Sequence, residues 1–453
     1  MTVLLYALGV LLFVAAILAS IALHELGHMI PAKKFGAKVT QYFIGFGPTV
    51  WSKQVGETEY GVKAIPLGGY VKIVGMLPPG AAELAESQHL DEHGEQVTVV
   101  RKSNTGMFTQ LISDARAAEW ELIGPEDRAR LFYQLPSWKK IVVMAGGPTV
   151  NILIAFFLFW LIFGTYGTRE VVPDAGRPVL DTVSQCVIPY ADQRTECEPG
   201  DPPSPAYEAG LRPGDEIVSF NGTPVSDWSQ LRELIRDNDD GVAEITYLRD
   251  GRELSGTTST TVEARPVDDT GETVREVGFL GVTPTSHVEV TTGGPLYTLE
   301  QMGDMTVRTV EALVTLPVKV WDVGQAIVGL EERAADSPVS IVGGGRLAGE
   351  TVSHEEFPVL EKTMFMLSLI AGFNFFIGMF NFVPLLPLDG GHIASAVYEW
   401  LRRGIARLRR RPDPGYVDAA RLLPVAYVVG LAMVVMGVVL IIGDLVVPLR
   451  LGA

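Results

Sequence analysis

The sequence predicts a polytopic α-helical membrane protein with about four transmembrane helices and a soluble acidic segment outside the bilayer. Three observations carry this. Four runs are apolar and almost free of charge over a membrane's thickness. The Lys and Arg clusters beside them all fall on one side if the spans alternate. The stretch between the second and third spans is acidic instead. A chain of 453 residues that is 47% apolar yet 20% charged fits spans joined to soluble parts.

The first span covers about residues 3–30. Its run VLLYALGVLLFVAAILASIAL holds no charge and is long enough to cross a hydrocarbon core of about 30 Å. A signal peptide is the competing reading, but a basic n-region is missing and the apolar run is too long. The second span covers about 141–163, the third 364–383 and the fourth 422–447. Lys33, Lys34, Lys38 and Lys53 follow the first span. Arg128, Arg130, Lys139 and Lys140 precede the second, and Arg402, Arg403, Arg407, Arg409, Arg410 and Arg411 follow the third. The positive-inside rule makes that side the cytoplasm. Both termini and the acidic segment are then expected outside.

Residues 167–300 hold 25 acidic and 10 basic side chains and no Lys. With a net charge of −17 for the chain, this argues against a nucleic-acid partner, which would require clustered Lys and Arg. Two cysteines occur, Cys186 and Cys197, so a cysteine-based metal site is excluded. Both lie in the acidic segment, where an oxidising exterior would let them pair. Two free thiols are the alternative.

His24-Glu25-Leu26-Gly27-His28 matches H-E-x-x-H. On a helix, positions i and i+4 share one face about 6 Å apart. Two imidazoles there can reach one zinc ion at about 2.0–2.1 Å each. Glu25 stands beside the first ligand, where it can take a proton from water. The site falls in the last turns of an uncharged span, where an ionisable group costs at least about 2.5–3.5 kcal/mol near mid-membrane. An ordinary interfacial helix end is the plainer alternative.

A catalytic zinc needs three protein ligands and an open position. Asp389 supplies a candidate third ligand. It is the sole acidic residue between Glu361 and Glu399. Pro384 and Pro387 end the third helix before it, and Gly390 and Gly391 follow. Irregular backbone at membrane depth is tolerated where protein or a wet cavity surrounds it.

H-E-L-G-H in a first span, with N-x-x-P-x-x-P-L-D-G-G from Asn381 to Gly391 in a late one, resembles the site-2 protease family of intramembrane metalloproteases, peptidase family M50. GVKAIPLGGYVKIV at 61–74 resembles that family's membrane-associated β-hairpin. The runs at 124–151 and 337–350 resemble its approaches to later core helices. The resemblance implies that His24, His28 and Asp389 bind Zn2+ and that Glu25 is the general base. It implies that Asn381 holds the substrate carbonyl or oxyanion; helix capping or interhelical bonding is its plainer role. An edge strand of the hairpin could pair with an unwound substrate helix, with Gly68 and Gly69 allowing close approach or merely making a turn. His392 reads as a supporting residue. The implied substrates are single-pass transmembrane proteins, such as an anti-sigma factor or a signal-peptide remnant. The implied setting is a bacterial inner membrane, with lipid contact, action as a monomer, and the active site near the cytoplasmic side.

SPAYEAGLRPGDEIVSFNGTPV at 204–225 resembles a PDZ domain, occurring once. Expected strands lie at 217–220, 243–248 and 278–282, and a helix at 231–235. The insertion at 185–205, which carries both cysteines, departs from a minimal PDZ core. The expected organisation is therefore 1–75, first span with zinc motif and hairpin; 76–137, cytoplasmic insertion; 138–166, second span; 180–290, extracytoplasmic PDZ domain; 297–360, amphipathic peripheral segment; 361–400, third span with the Asp-Gly motif; 401–420, basic cytoplasmic loop; and 421–448, fourth span. His89 and His93 also stand four apart but read as a solvated loop. A non-catalytic scaffold that binds substrate helices is the rival function, and Glu25 counts against it. A metal transporter would need polar residues across several spans.

Overall fold

The computed structural model describes residues 2–78, 89–90, 96–97, 112, 114, 116, 123–190, 194, 196–266, 274–334 and 336–449. The chain forms two compact units, Met1–Tyr166 with Gly293–Ala453, and Gly167–Thr292. The expected cytoplasmic insertion, His93 included, lies mostly outside the described residues.

Helix α1 (Thr2–Lys34) follows from its uncharged apolar run. Its buried positions Gly9, Phe13, Ile17, Ser20 and His28 recur every three or four residues, so they form one inward stripe. Strands β1 (Val39–Val55) and β2 (Thr58–Ile73) then form the expected antiparallel hairpin, folded back on itself. Gln41 faces both Glu59 and Lys72, and Phe43 faces both Gly61 and Tyr70. The two bent strands thus make four parallel-lying segments in the order 51–55, 58–62, 41–44, 69–73. Gly45, Gly47 and Gly68 take positive φ where the chain bends. Segment 69–73 is an outer edge, and Tyr42 anchors the sheet by donating to the Ala22 carbonyl on α1 at 2.7 Å. Helix α2 (Ser137–Thr165) buries Lys140, Val143, Gly147, Asn151, Ala155 and Phe159 along one side.

The second unit starts and ends on one two-stranded pairing, Thr168–Pro173 with Ser286–Thr291. Its four-stranded sheet runs in the order Arg252–Ser259, Val242–Arg249, Glu216–Phe220, Thr223–Pro224. Helix α3 (Trp228–Arg236) packs Leu231 and Ile235 into a core with Leu180, Ile217, Phe220 and Ile245. The strand expected over 278–282 is instead two strands, Val274–Phe279 and Val282–Pro284, interrupted at Gly281 with φ of 90°. Cys186 and Cys197 are joined in a disulfide.

Asp227 caps α3, accepting from the Gln230 amide and from the Ser226 and Ser229 hydroxyls. The Ser226 hydroxyl bond, followed by the Gln230 amide, holds its pKa down at about 2. A depressed carboxylate pKa stabilises the fold above the unfolded value near 4 and loses that contribution as pH falls through about 2. Asp227→Ala should therefore lower the thermal unfolding temperature at pH 7, with the deficit shrinking toward pH 2. A deficit independent of pH would show that the charge has no part in it.

The remaining helices return to the first unit. They are α4 (Pro295–Ile327), α5 (Ile341–Ser353), α6 (Val359–Asn381), α7 (Asp389–Leu408) and α8 (Leu423–Val446). Among the described residues, four helical stretches are long and apolar enough to cross a membrane: Thr2–Lys34, Ser137–Thr165, Val359–Asn381 and Ala419–Val446. On α8, Val428, Leu431 and Val434 are each more than 60% exposed, a surface suited to lipid. Inside the bundle the Asn374 amide donates to the Ser20 hydroxyl at 3.0 Å, tying α6 to α1.

Two expectations change. The segment 297–360 is not wholly peripheral. Helix α4 does expose an apolar row, including Val307, Val310, Val314 and Val318, but α5 buries Gly343, Gly344, Gly345 and Gly349. A side chain at Gly344 would press on Phe13 of α1, so these glycines serve helix contact. The basic stretch 401–420 is not all loop. Arg402, Arg403 and Arg407 continue α7, because Arg is a good helix former and the helix is amphipathic.

Candidate metal centre

The site begins with helical periodicity. His24 and His28 lie one turn apart on α1, with their Nε2 atoms 3.2 Å apart. The break after α6 brings in the third group. The chain leaves the helix at Asn381, turns through Pro384 and a cis Leu386–Pro387 bond, and starts α7 at Asp389. Asp389 Oδ2 lies 3.3 Å from each imidazole Nε2. Its place in the first turn of α7 sets the carboxylate in the positive field of the helix N-terminus. Among the described residues, these three form the one cluster of His, Cys, Asp or Glu close enough to hold an ion.

The geometry fits zinc. A tetrahedral ion with bonds of about 2.0–2.1 Å separates its donor atoms by about 3.3–3.4 Å. The far side of each ring supports the same arrangement. His28 Nδ1 donates to the Val143 carbonyl at 2.8 Å, and His24 Nδ1 donates to Asn151 Oδ1 at 3.1 Å. With both Nδ1 protons so used, two Nε2 lone pairs and a carboxylate converge on one point, which suits a cation. Helix α2 supplies both acceptors.

Glu25 lines the same cavity, of about 430 Å³, with Asn151, Asn381, Asp389 and His392. Val71 of β2 lines the cavity with it. Gly68 and Gly69 also line the cavity, and a Cβ at Gly69 would sit 3.1 Å from Glu25 Cγ and 3.0 Å from the Phe43 carbonyl. The edge of β2 can approach α1 so closely because Gly69 has no side chain. The Asn381 amide donates to the Ile377 carbonyl at 3.1 Å, one turn back on its own helix. His392 lines the cavity outside the three-residue cluster. Cys186 and Cys197 lie in the other unit.

Sequence reasoning assigned no role to Asn151, the Val143 carbonyl or Gly147. A Cβ on Gly147 would meet His28 Nε2 at 2.2 Å and His24 Nε2 at 2.7 Å. The available signal was a polar Asn in an apolar span, one turn after a Gly-Gly-Pro step.

Two histidines and an aspartate that could hold a metal ion, on helices long and apolar enough to cross a membrane and with Glu25 in the same cavity, fit a membrane-embedded metal-dependent hydrolase. The chain belongs to peptidase family M50, whose profile matches residues 12–412. It is 34% identical to "Zinc metalloprotease Rip1" of Mycolicibacterium smegmatis, covering 98% of this chain and 99% of that one. The protein of the same name in Mycobacterium tuberculosis is 33% identical, with 98% and 99% covered. "Regulator of sigma-E protease RseP" of Salmonella typhimurium is 25% identical, over 86% of this chain and 90% of that one.

Proposed function

We propose that the chain is a zinc-dependent intramembrane endopeptidase that cuts the transmembrane segments of single-pass membrane proteins. The observation that carries this is the convergence of His24, His28, Asp389 and Glu25 in one cavity bordered by a strand edge. The relatives are named zinc metalloproteases, which supports the choice of ion. The more distant relative is named a regulator of sigma-E, which is compatible with the anti-sigma factor expected from the sequence.

His24, His28 and Asp389 would hold the ion. When bound, zinc supplies a Lewis acid that makes water acidic near pH 7 and polarises a carbonyl. Glu25 takes the proton of the attacking water and passes it to the leaving amine. A peptide bond inside a helix is shielded, so the substrate must first be extended. The edge at Gly69–Val71 offers backbone groups to pair with it. The Asn381 amide, which uses one N–H on Ile377, has a second to donate to the substrate carbonyl. The positive-inside rule applied to the basic clusters supports a site toward the cytoplasm, and the acidic segment is read as an extracytoplasmic PDZ domain.

The test is metal removal from the full chain in detergent or vesicles, with a single-pass substrate. Chelation should abolish cleavage, and added zinc should restore it. Mass spectrometry should place the cut within the apolar segment. Cleavage that survives chelation, or falls only in soluble flanks, would overturn the reading.

A further inference from the structure

Beyond the metal ligands, the most deeply buried charges near the site are Lys140 on α2 and Glu399 on α7. Lys140 Nζ donates to Glu399 Oε2 at 2.9 Å, with side chains 8% and 2% exposed. Glu399 also accepts from the Ser137 hydroxyl at 3.1 Å and from the Val417 amide at 3.2 Å. Arg403 stands 3.4 Å from its other oxygen. Tyr416 covers the pair, with Lys140 5.1 Å and Arg403 4.8 Å from its ring centre. A small cavity of about 30 Å³ separates this cluster from His392, which also lines the metal cavity.

A buried ion pair is a poor source of net stability, since desolvation offsets most of the attraction. Its better-attested use is to fix register between packed elements. The placement here fits that use. Lys140 is one helical turn from Val143, whose carbonyl orients His28. Glu399 is about 15 Å along α7 from Asp389, which starts that helix. The two helices run antiparallel. Helix α2 sets the two histidines through Val143 and Asn151, and α7 carries the carboxylate. A slip of α7 along α2 would therefore pull Asp389 off the point where the imidazoles converge.

We propose that Lys140 and Glu399 are positioning residues, a buried pin between α2 and α7 that sets Asp389 in register with His24 and His28. Neither touches substrate or metal. Ser137 and Tyr416 complete the pin by filling the remaining acceptor and closing the pair from water. This rests on the metal-centre reading above.

The full-length protein in detergent is tested for zinc dissociation by chelator competition, for thermal unfolding, and for the visible spectrum of its cobalt-loaded form. Lys140→Met should weaken zinc binding by about 10–100-fold, the range for groups that orient ligands. Lys140→Arg, which keeps the cation, should recover most of it. The double variant Lys140→Met, Glu399→Leu removes both buried charges, leaves Arg403 paired with Asp413, and should recover thermal stability but not zinc affinity. Zinc affinity that returns with stability would overturn the pin. Should the Lys140 variants not fold, Ser137→Ala keeps both charges and drops one bond to Glu399. It should still shift the cobalt band, and an unshifted band overturns the proposal. A wild-type chain that binds no zinc would sink the metal-centre reading instead, so the two failures are distinct.

Discussion

Glu25→Gln is expected to keep its zinc and lose about 10²–10⁴-fold in cleavage rate, the contribution of a positioned general base. The expectation rests on where the side chain stands. It lines the same cavity as His24, His28 and Asp389 but is not one of the three converging groups, so neutralising it leaves the donor set intact. Gln is nearly the same size, so the approach of Gly69 to position 25 is preserved. What is lost is a group that can take a proton and hand it on. The measurement pairs metal content with turnover of a single-pass substrate in vesicles. Full zinc with little turnover fits the mechanism. Undiminished turnover would remove Glu25 from the chemistry. A variant that also loses its zinc would show that Glu25 helps hold the metal, and the division of roles given above would be wrong. A non-catalytic scaffold that merely grips helices would show no turnover in either form.

Some of this site was legible before any coordinates, for physical reasons. His24 and His28 repeat at the helical period within a run whose one other ionisable residue before Lys33, Tyr6 apart, is Glu25, so burial and spacing both marked them. Asp389 was marked by isolation, as a lone acid beyond a Pro-broken apolar helix. The four spans followed from length and hydropathy. Other features left no trace in pattern. Asn151 acts through a hydrogen bond to a residue 127 positions away, and no local period encodes that. Helix α5 falls in a segment expected to be peripheral, yet its glycines are what allow it to lie against α1. Arg402 and Arg403 were read for their charge, which hid their helical place in α7. Lys140 was likewise read as a topology signal, although its side chain is turned inward to Glu399.

Gly147→Ala should cost the protein its metal, lowering zinc affinity by at least about 100-fold, the upper end of what disturbing a ligand's supports costs. The argument is steric. The Cβ that alanine adds would stand 2.2 Å from His28 Nε2 and 2.7 Å from His24 Nε2, inside any van der Waals contact. Neither ring can turn aside freely, because each is tied through Nδ1, one to Val143 and the other to Asn151 on α2 itself. Nor can α2 back away cheaply, since Gly146 meets the Gly27 carbonyl of α1 at the neighbouring position. The methyl therefore presses on the two donor atoms, where alanine would otherwise be the better helix former. Zinc titration and thermal unfolding of the detergent-solubilised variant separate the outcomes. A folded protein with little zinc is expected. Wild-type affinity would mean that α2 can shift by about 1 Å without disturbing the donor set, and the tight geometry assigned to this helix would have to be abandoned.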